Sequence, residues 1–168
     1  MNDKMKAVAD VAGAAENATR VIEKLFDLPK KAKSAYREFL LDNLISNINQ
    51  RLYGRYNLIN VVETFGQYRD PQQDFEEIRN TARDRIKYLR AFNKKIETSL
   101  KSISPKLASE LVIMTDASIG LYGKLVEVEN PEQMAELAPP LADALNKIAA
   151  YLESVNGKLK EVIAEIQT

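Results

Sequence analysis

One apolar stripe covers the last third of the chain, from Met134 to Ile166, in the sequence MAELAPPLADALNKIAAYLESVNGKLKEVIAEI. Its apolar side chains recur at steps of three and four residues, which places them on one side of an α-helix. Near-strict alternation of these steps is typical of a coiled-coil seam. The stripe consists of Met134, Leu137, Leu141, Leu145, Ile148, Leu152, Val155, Leu159, Val162 and Ile166. We therefore expect this segment to pack lengthwise against other helices.

Two features interrupt the stripe. Pro139 and Pro140 lack the backbone N–H that a helix needs, so we expect them to break or bend it. This predicts a short helix or turn near 131–138, followed by a long last helix to about Gln167. Asn156-Gly157 is a turn signal. The apolar residues keep their register across it, however, so we expect the helix to continue.

Three proline dipeptides divide the preceding chain. Asp70-Pro71, Ser104-Pro105 and Asn130-Pro131 each place an N-cap residue before a proline in the first helical position. Gln73 and Gln133 follow their caps by three residues, as in a capping box. These signals predict helix starts near 70, 104 and 130.

The other helices follow from the same apolar spacing. We expect helices over about 3–26, 29–65, 71–103 and 105–128. Gly54 is a candidate kink in the second, and Gly120 and Gly123 are expected to permit close helix contact in the fourth. The predicted fold is all-α: an elongated antiparallel helical bundle of four long helices plus an N-terminal helix, forming a single domain over 1–168.

The composition excludes several classes of chemistry. The 168 residues include no Cys, His or Trp. Disulfides, a thiolate nucleophile, an imidazole base and a Ser-His-Asp triad are therefore absent. No Walker loop, EF-hand or dinucleotide fingerprint occurs. We expect no enzymatic activity and no cofactor.

Acidic residues surround the third proline signal and could in principle hold magnesium or calcium. They are Glu127, Glu129, Glu132 and Glu136. The di-metal recipe of helical bundles requires Glu-x-x-His pairs, and this chain has no histidine. We interpret these carboxylates as a solvated acidic rim and expect no metal site.

Charge is balanced overall but unevenly distributed. The chain has 24 basic and 24 acidic residues, of which residues 1–104 hold 19 basic and 14 acidic, and residues 105–168 hold 5 and 10. Every arginine lies at or before Arg90. Either the two halves dock on each other, or the protein has a basic working face and an acidic back.

The third predicted helix carries the most regular polar pattern. Five cations share one helix side, at steps of four, four, three and four: Arg79, Arg83, Lys87, Arg90 and Lys94. Arg85 and Lys95 add positive charge nearby, whereas Asp84 interrupts the row. We regard these five residues as a candidate anion-binding row, for an acidic protein or for nucleic acid. The alternative is a solvated face paired to the acidic half of the chain. Only Tyr88 is an aromatic neighbour for base stacking, so nucleic acid is the less favoured ligand.

A second candidate surface surrounds Gly54. Arg51, Tyr53, Arg55 and Tyr56 lie there, with Tyr68 and Arg69 further on. Tyr and Arg are the residues that most often anchor protein interfaces. We therefore predict a partner-binding patch at these four positions; ordinary amphipathic residues at a bundle edge are the alternative.

Together these patterns favour a non-enzymatic protein that binds another protein, itself included as a homo-oligomer. Adaptor, toxin-neutralising partner and assembly subunit are the roles that such bundles commonly have. One alternative is a membrane-acting effector that uses the Ala-rich first helix; another is binding of an anionic ligand or nucleic acid along the basic row. The N-terminus does not have the pattern of a signal peptide, and no apolar run is long enough to span a membrane as a single helix. We therefore expect a soluble protein and leave its compartment open, with the cytoplasm slightly favoured.

Overall fold

The structure is a computed structural model that describes residues 57–101 and 105–167. Its helices are α1 (Ile59–Glu63), α2 (Pro71–Lys95), α3 (Pro105–Val126) and α4 (Pro131–Gln167), and a π-helical turn, Ile96–Leu100, extends α2. No strand occurs among these residues, which confirms the all-α prediction for this part of the chain. The predicted first helix, at 3–26, and most of the second lie outside the described residues.

The proline signals mark helix starts as predicted. The Asp70 carboxylate accepts a hydrogen bond from the Gln72 backbone N–H at 2.9 Å. Asn130 Oδ1 likewise accepts from the Gln133 N–H at 2.9 Å. The Gln133 side-chain oxygen accepts a hydrogen bond from the Glu129 N–H at 3.3 Å. In a capping box it would accept from the N–H of the N-cap residue itself, Asn130. These bonds satisfy donors that the first helical turn leaves free.

The prediction of a separate short helix or turn near 131–138 is wrong, because α4 is one continuous helix from Pro131 to Gln167 that contains both prolines. The two prolines deprive only the Ala135 and Glu136 carbonyls of their helical donors. Both residues are exposed, so water can solvate these carbonyls. The apolar stripe is buried on both sides of the prolines, at Leu137 and Leu141, and holds the helix together. The predicted continuity across Asn156-Gly157 is confirmed.

The second predicted helix, expected over about 29–65 with a candidate kink at Gly54, is corrected near its end. Asn57 and Leu58 are not helical, and α1 begins only at Ile59. The Asn57 side-chain oxygen accepts from the Ile59 N–H at 2.9 Å. Asparagine side chains compete in this way with backbone hydrogen bonds and therefore favour helix starts over helix interiors.

The end of α2 differs in detail from the prediction of a helix to Ile103. The α-helix stops at Lys95, and the next turn is π-helical, with the Lys101 N–H bonded to the Ile96 carbonyl at 3.1 Å. Ile96 is fully buried within this wider turn. Ile103 itself lies outside the described residues.

Helices α2 and α3 pack against each other in antiparallel orientation. The start of α2 meets the end of α3 through Arg79 and Val126, whereas its end meets the middle of α3 through Asn93 and Asp116. One core cluster lies between α1, α2, the second half of α3 and the first half of α4. Its largest fully buried members include Tyr122, Ile78, Leu125, Met134 and Leu141.

The loop between α1 and α2 is held by one buried carboxylate. Asp74 is only 3% exposed, and its Oδ2 accepts from the Gly66 N–H at 2.8 Å. Its other oxygen is paired with Arg69, which also contacts Glu77. The hydrogen bonds to Glu77 and Asp74 raise the pKa of Arg69. Gly66 has φ +72°, a conformation that side chains with a Cβ rarely adopt.

The described residues do not supply the close helix contact that we predicted at Gly120 and Gly123. A Cβ built at either position meets no atom of those residues within 4 Å. Gly120 is exposed on the outer side of α3, and Gly123 is half-buried.

Replacing Gly66 with alanine should destabilise the protein by about 1–2 kcal/mol, because positive φ strains a residue with a Cβ. The new Cβ would also lie 3.3 Å from Pro71 Cγ. Gly157→Ala is the matched control: it lies within α4 with open space around a Cβ, and should stabilise by about 0.5–1 kcal/mol. Urea unfolding measures the change in the free energy of unfolding for each variant, and equal changes would contradict the positive φ of Gly66.

Pro139→Ala should raise the free energy of unfolding by about 1–3 kcal/mol, because alanine restores an N–H donor for the Ala135 carbonyl within a continuous helix. The greater flexibility of alanine in the unfolded chain offsets part of this gain. Thermal unfolding followed by circular dichroism measures the change. A lower midpoint would indicate that the helix requires the proline at this position.

Candidate partner-binding surface on α2 and α3

The basic row predicted from the sequence lies on the outer side of α2. Arg83, Lys87, Arg90 and Lys94 are all exposed, whereas Arg79 is half-buried. The opposite side of α2 is buried in the core. The three- and four-residue spacing therefore brings four of the five predicted cations together on the surface.

Arg79 takes part in helix packing. Its Nε–H donates to the Val126 carbonyl at 3.2 Å, and its guanidinium carbon lies 5.1 Å from the centre of the Phe75 ring. Val126 is the last residue of α3, so its carbonyl has no donor within the helix. A cation at a helix C-terminus is also favoured by the helix dipole. Arg79 thus joins α2 to α3 and is not part of the exposed row.

The four exposed cations have few polar contacts. Arg83 donates to Asn80 Oδ1 at 3.1 Å. Among the described residues, the ion pairs are those of Arg69 and Lys124, and no carboxylate pairs with Arg83, Lys87, Arg90 or Lys94. The expected pairing of this row with the acidic half of the chain therefore has no contact to support it in this part of the structure.

The two additional cations expected near the row, Arg85 and Lys95, lie in different environments. Arg85 is buried, with its guanidinium carbon 5.1 Å from the centre of the Tyr88 ring. It belongs to the packed side of α2 and not to the surface, because its position in the sequence falls on the opposite side of the helix. Lys95 is exposed.

An exposed apolar residue that the sequence analysis missed lies on α3, one turn from a residue that contacts α2. Asn93 Nδ2, on α2, donates to Asp116 Oδ1, on α3, at 3.0 Å. Ile113 precedes Asp116 by one turn and therefore shares its side of α3. It is 67% exposed, which is unusual for isoleucine. The signal was available, because Ile113 is out of register with the apolar stripe of this helix.

We define the α2–α3 surface as Arg83, Lys87, Arg90 and Lys94 together with Ile113. Ser109, Asp116 and Gly120 are also exposed on α3, and the Asp116 carboxylate is bonded to Asn93. The surface combines a row of positive charge with a single apolar side chain. A row of one charge guides association with a partner of opposite charge.

The second predicted patch cannot be placed. Arg51, Tyr53, Arg55 and Tyr56 lie outside the described residues, as does the Ala-rich segment of the membrane alternative. Tyr68, which we associated with this patch, is 84% exposed in the loop before α2. Its neighbour Arg69 is held by two carboxylates and stabilises that loop.

The acidic residues around Asn130 are exposed, as expected of a rim. They are Glu127, Glu129, Glu132 and Glu136. Lys124 lies 3.5 Å from the Glu127 carboxylate. No group of three or more acidic side chains is arranged to hold a metal ion in the part of the chain that the structure describes. In that same part, no helix has the length and apolar character needed to cross a membrane.

Comparison with known proteins identifies no relative: no family model, no curated protein and no solved structure matches this chain.

Arg79→Ala should lower the free energy of unfolding by about 1–2 kcal/mol, since it removes a hydrogen bond to a helix C-terminus and the packing on Phe75. Lys87→Ala removes an equal charge from the same helix and should change the free energy of unfolding by less than about 0.5 kcal/mol. Urea unfolding of the two variants measures this difference. If both are neutral, Arg79 belongs with the exposed row.

Proposed function

We propose that this protein acts by binding another protein at the α2–α3 surface and that it is not an enzyme. The partner presents an acidic segment with an apolar residue beside it. The observation that supports this is the exposed row Arg83, Lys87, Arg90 and Lys94, which forms no ion pair with the described residues. Adaptor, toxin-neutralising partner and assembly subunit are all consistent with such a surface.

The spacing of the row indicates the form of the acidic segment. At a rise of about 1.5 Å per residue, the cations recur about every 5–6 Å over roughly 17 Å of α2. Carboxylates at three- and four-residue steps on a partner helix have the same spacing. An acidic amphipathic helix lying along α2 could therefore face all four cations at once.

Ile113 supplies the apolar part of the proposed contact. Charged pairs at a solvated surface stabilise a complex weakly and mainly guide association, whereas a buried apolar side chain contributes more to affinity. Full burial of an isoleucine contributes about 1.5–3 kcal/mol. Asn93, which precedes Lys94, is bonded to Asp116, one turn from Ile113, so a single partner helix could contact both the row and Ile113.

An acidic protein fits this surface better than nucleic acid does. Binding of single strands relies on aromatic side chains on which bases stack. Tyr88 is the aromatic residue nearest to the row along α2, and it is half-buried with Arg85 lying 5.1 Å from its ring. The apolar Ile113 also has no function in binding phosphates.

The proposal predicts that Lys87→Gln/Arg90→Gln weakens capture of the native partner by about tenfold or more at low salt. Lys147→Gln/Lys160→Gln is the control, since it removes two exposed charges from α4. Immobilised wild-type and variant proteins would be incubated with native lysate, and bound proteins quantified by mass spectrometry. We expect a partner that the wild type and control retain, that the α2 variant loses, and that salt releases.

Two further measurements make this result decisive. Ile113→Ser should weaken the same complex without altering its salt dependence, because it removes apolar contact and no charge. Size-exclusion chromatography with light scattering shows whether the partner is a second copy of the chain.

Equal capture by the wild type and the α2 variant would contradict the proposal, and loss of binding after nuclease treatment would favour nucleic acid instead.

A further inference from the structure

The outer side of α4 carries a row of residues whose spacing matches that of the exposed cations of α2. The same steps of four, three and four residues separate the members of both sets. These steps keep each set within about 60° around its helix and extend it over roughly 17 Å. We call the exposed residues of this set the α4 row: Glu132, Glu136, Pro139 and Asp143.

Every position of the α4 row offers an acceptor to a cation. Three positions are carboxylates, and none of the three is in an ion pair with a described residue. At the remaining position, Pro139 has no N–H and therefore leaves the Ala135 carbonyl without its helical donor. Ala135 is exposed, so an ammonium group that lies on the row can donate to this carbonyl. The row thus presents three negative charges and one further acceptor at the spacing of the four cations.

The two rows cannot pair within one copy of the chain. Helices α2 and α4 both contribute to the core cluster, α2 through Ile78 and Leu89 and α4 through Met134 and Leu141. The rows lie on the other sides of these helices, so they face away from the core that joins them. Charge complementarity between these two rows can therefore be realised only across two copies of the chain.

We propose that the partner of the α2–α3 surface is a second copy of this chain, whose α4 row lies antiparallel along α2. This inference rests on the proposed function, because it names the acidic segment that the surface binds. Lys87 lies opposite Pro139 in this register and donates to the Ala135 carbonyl of the second copy. The other three cations each meet a carboxylate of the second copy: Lys94 with Glu132, Arg90 with Glu136, and Arg83 with Asp143.

The helix dipoles favour the antiparallel direction. The steps four, three and four read the same from either end, so the spacing fits a parallel arrangement equally well. Antiparallel helices bring the partial negative charge at the C-terminus of one beside the partial positive charge at the N-terminus of the other, whereas parallel helices align like ends. Arg90 faces Glu136 in the antiparallel arrangement and Lys87 faces it in the parallel one, so each direction has its own diagnostic pair.

Two other features of the chain agree with self-association. Its net charge is zero, so no overall field repels one copy from another. Ala135 and Pro139 are exposed apolar residues between the carboxylates, so α4 has the apolar contact that we expect beside the acidic segment. Each copy carries both rows. Two copies can therefore form the contact twice about a two-fold axis, or further copies can add in a chain.

The first test measures the mass of the full-length wild type by size-exclusion chromatography with light scattering at several protein concentrations. At about 0.01 M salt, where charges act over about 30 Å, we expect the mass to rise with concentration to that of two or more copies. At about 1 M salt this range falls to about 3 Å, and we expect a monomer. A protein that is monomeric at every concentration in low salt would overturn the inference.

The second test reverses the charges of one proposed pair. Arg90→Glu and Glu136→Arg should each weaken self-association by about tenfold or more, because each places like charges opposite one another. An equimolar mixture of the two variants should associate again, since every contact between unlike copies then joins opposite charges. Glu161→Arg is the control: it reverses an exposed charge of α4 outside the row and should leave association unchanged.

The mixtures also identify the direction and separate this inference from the proposed function. Association of Lys87→Glu with Glu136→Arg, without association of Arg90→Glu with Glu136→Arg, would retain the second copy as partner and replace the antiparallel register with the parallel one. Failure of both mixtures, or equal weakening by Glu161→Arg, would overturn the inference. A monomeric wild type that captures a different protein from lysate, and loses it in Lys87→Gln/Arg90→Gln, would overturn the inference and leave the proposed function standing.

Discussion

Burial of one apolar side of each helix in a shared core is the constraint on which the described structure depends. Ile78 of α2, Tyr122 of α3, and Met134 and Leu141 of α4 are almost fully buried within it. Burial of large apolar side chains stabilises by about 1.5–3 kcal/mol each. This interaction fixes which side of each helix faces inward, and thereby which residues are left for binding. The outward position of the basic row follows from the inward position of Ile78, Leu89 and Phe92.

The same core explains how α4 tolerates two interior prolines. The prolines remove two backbone hydrogen bonds, a loss of a few kcal/mol in an isolated helix. Buried Leu137, Ala138 and Leu141 surround them, so a break would expose apolar surface worth more than the lost bonds. Tertiary packing therefore outweighs local preference here, as it does in most protein helices.

Periodicity in the sequence was sufficient to predict the helical class, the helix starts at the proline signals and the exposed basic row. Local signals were less reliable where packing competes with them, as at Pro139-Pro140. Other features depend on three-dimensional neighbours that spacing cannot reveal. The role of Arg79 depends on Val126, which lies 47 residues later. The exposure of Ile113 likewise depends on which helices pack together, and a helical repeat does not determine that.

The net charge of zero conceals two local surfaces of opposite sign. The exposed cations of α2 lie on a helix near the middle of the chain, whereas Asp143 lies on the acidic C-terminal part, beside Glu63 of α1. If these charges served only to neutralise each other, ion pairs between α2 and α4 would be expected, and none occurs among the described residues. Solvated charges that remain apart attract ligands of opposite sign. The exposed cations of α2 therefore remain available to a partner of opposite charge, and the proposed function depends on that availability.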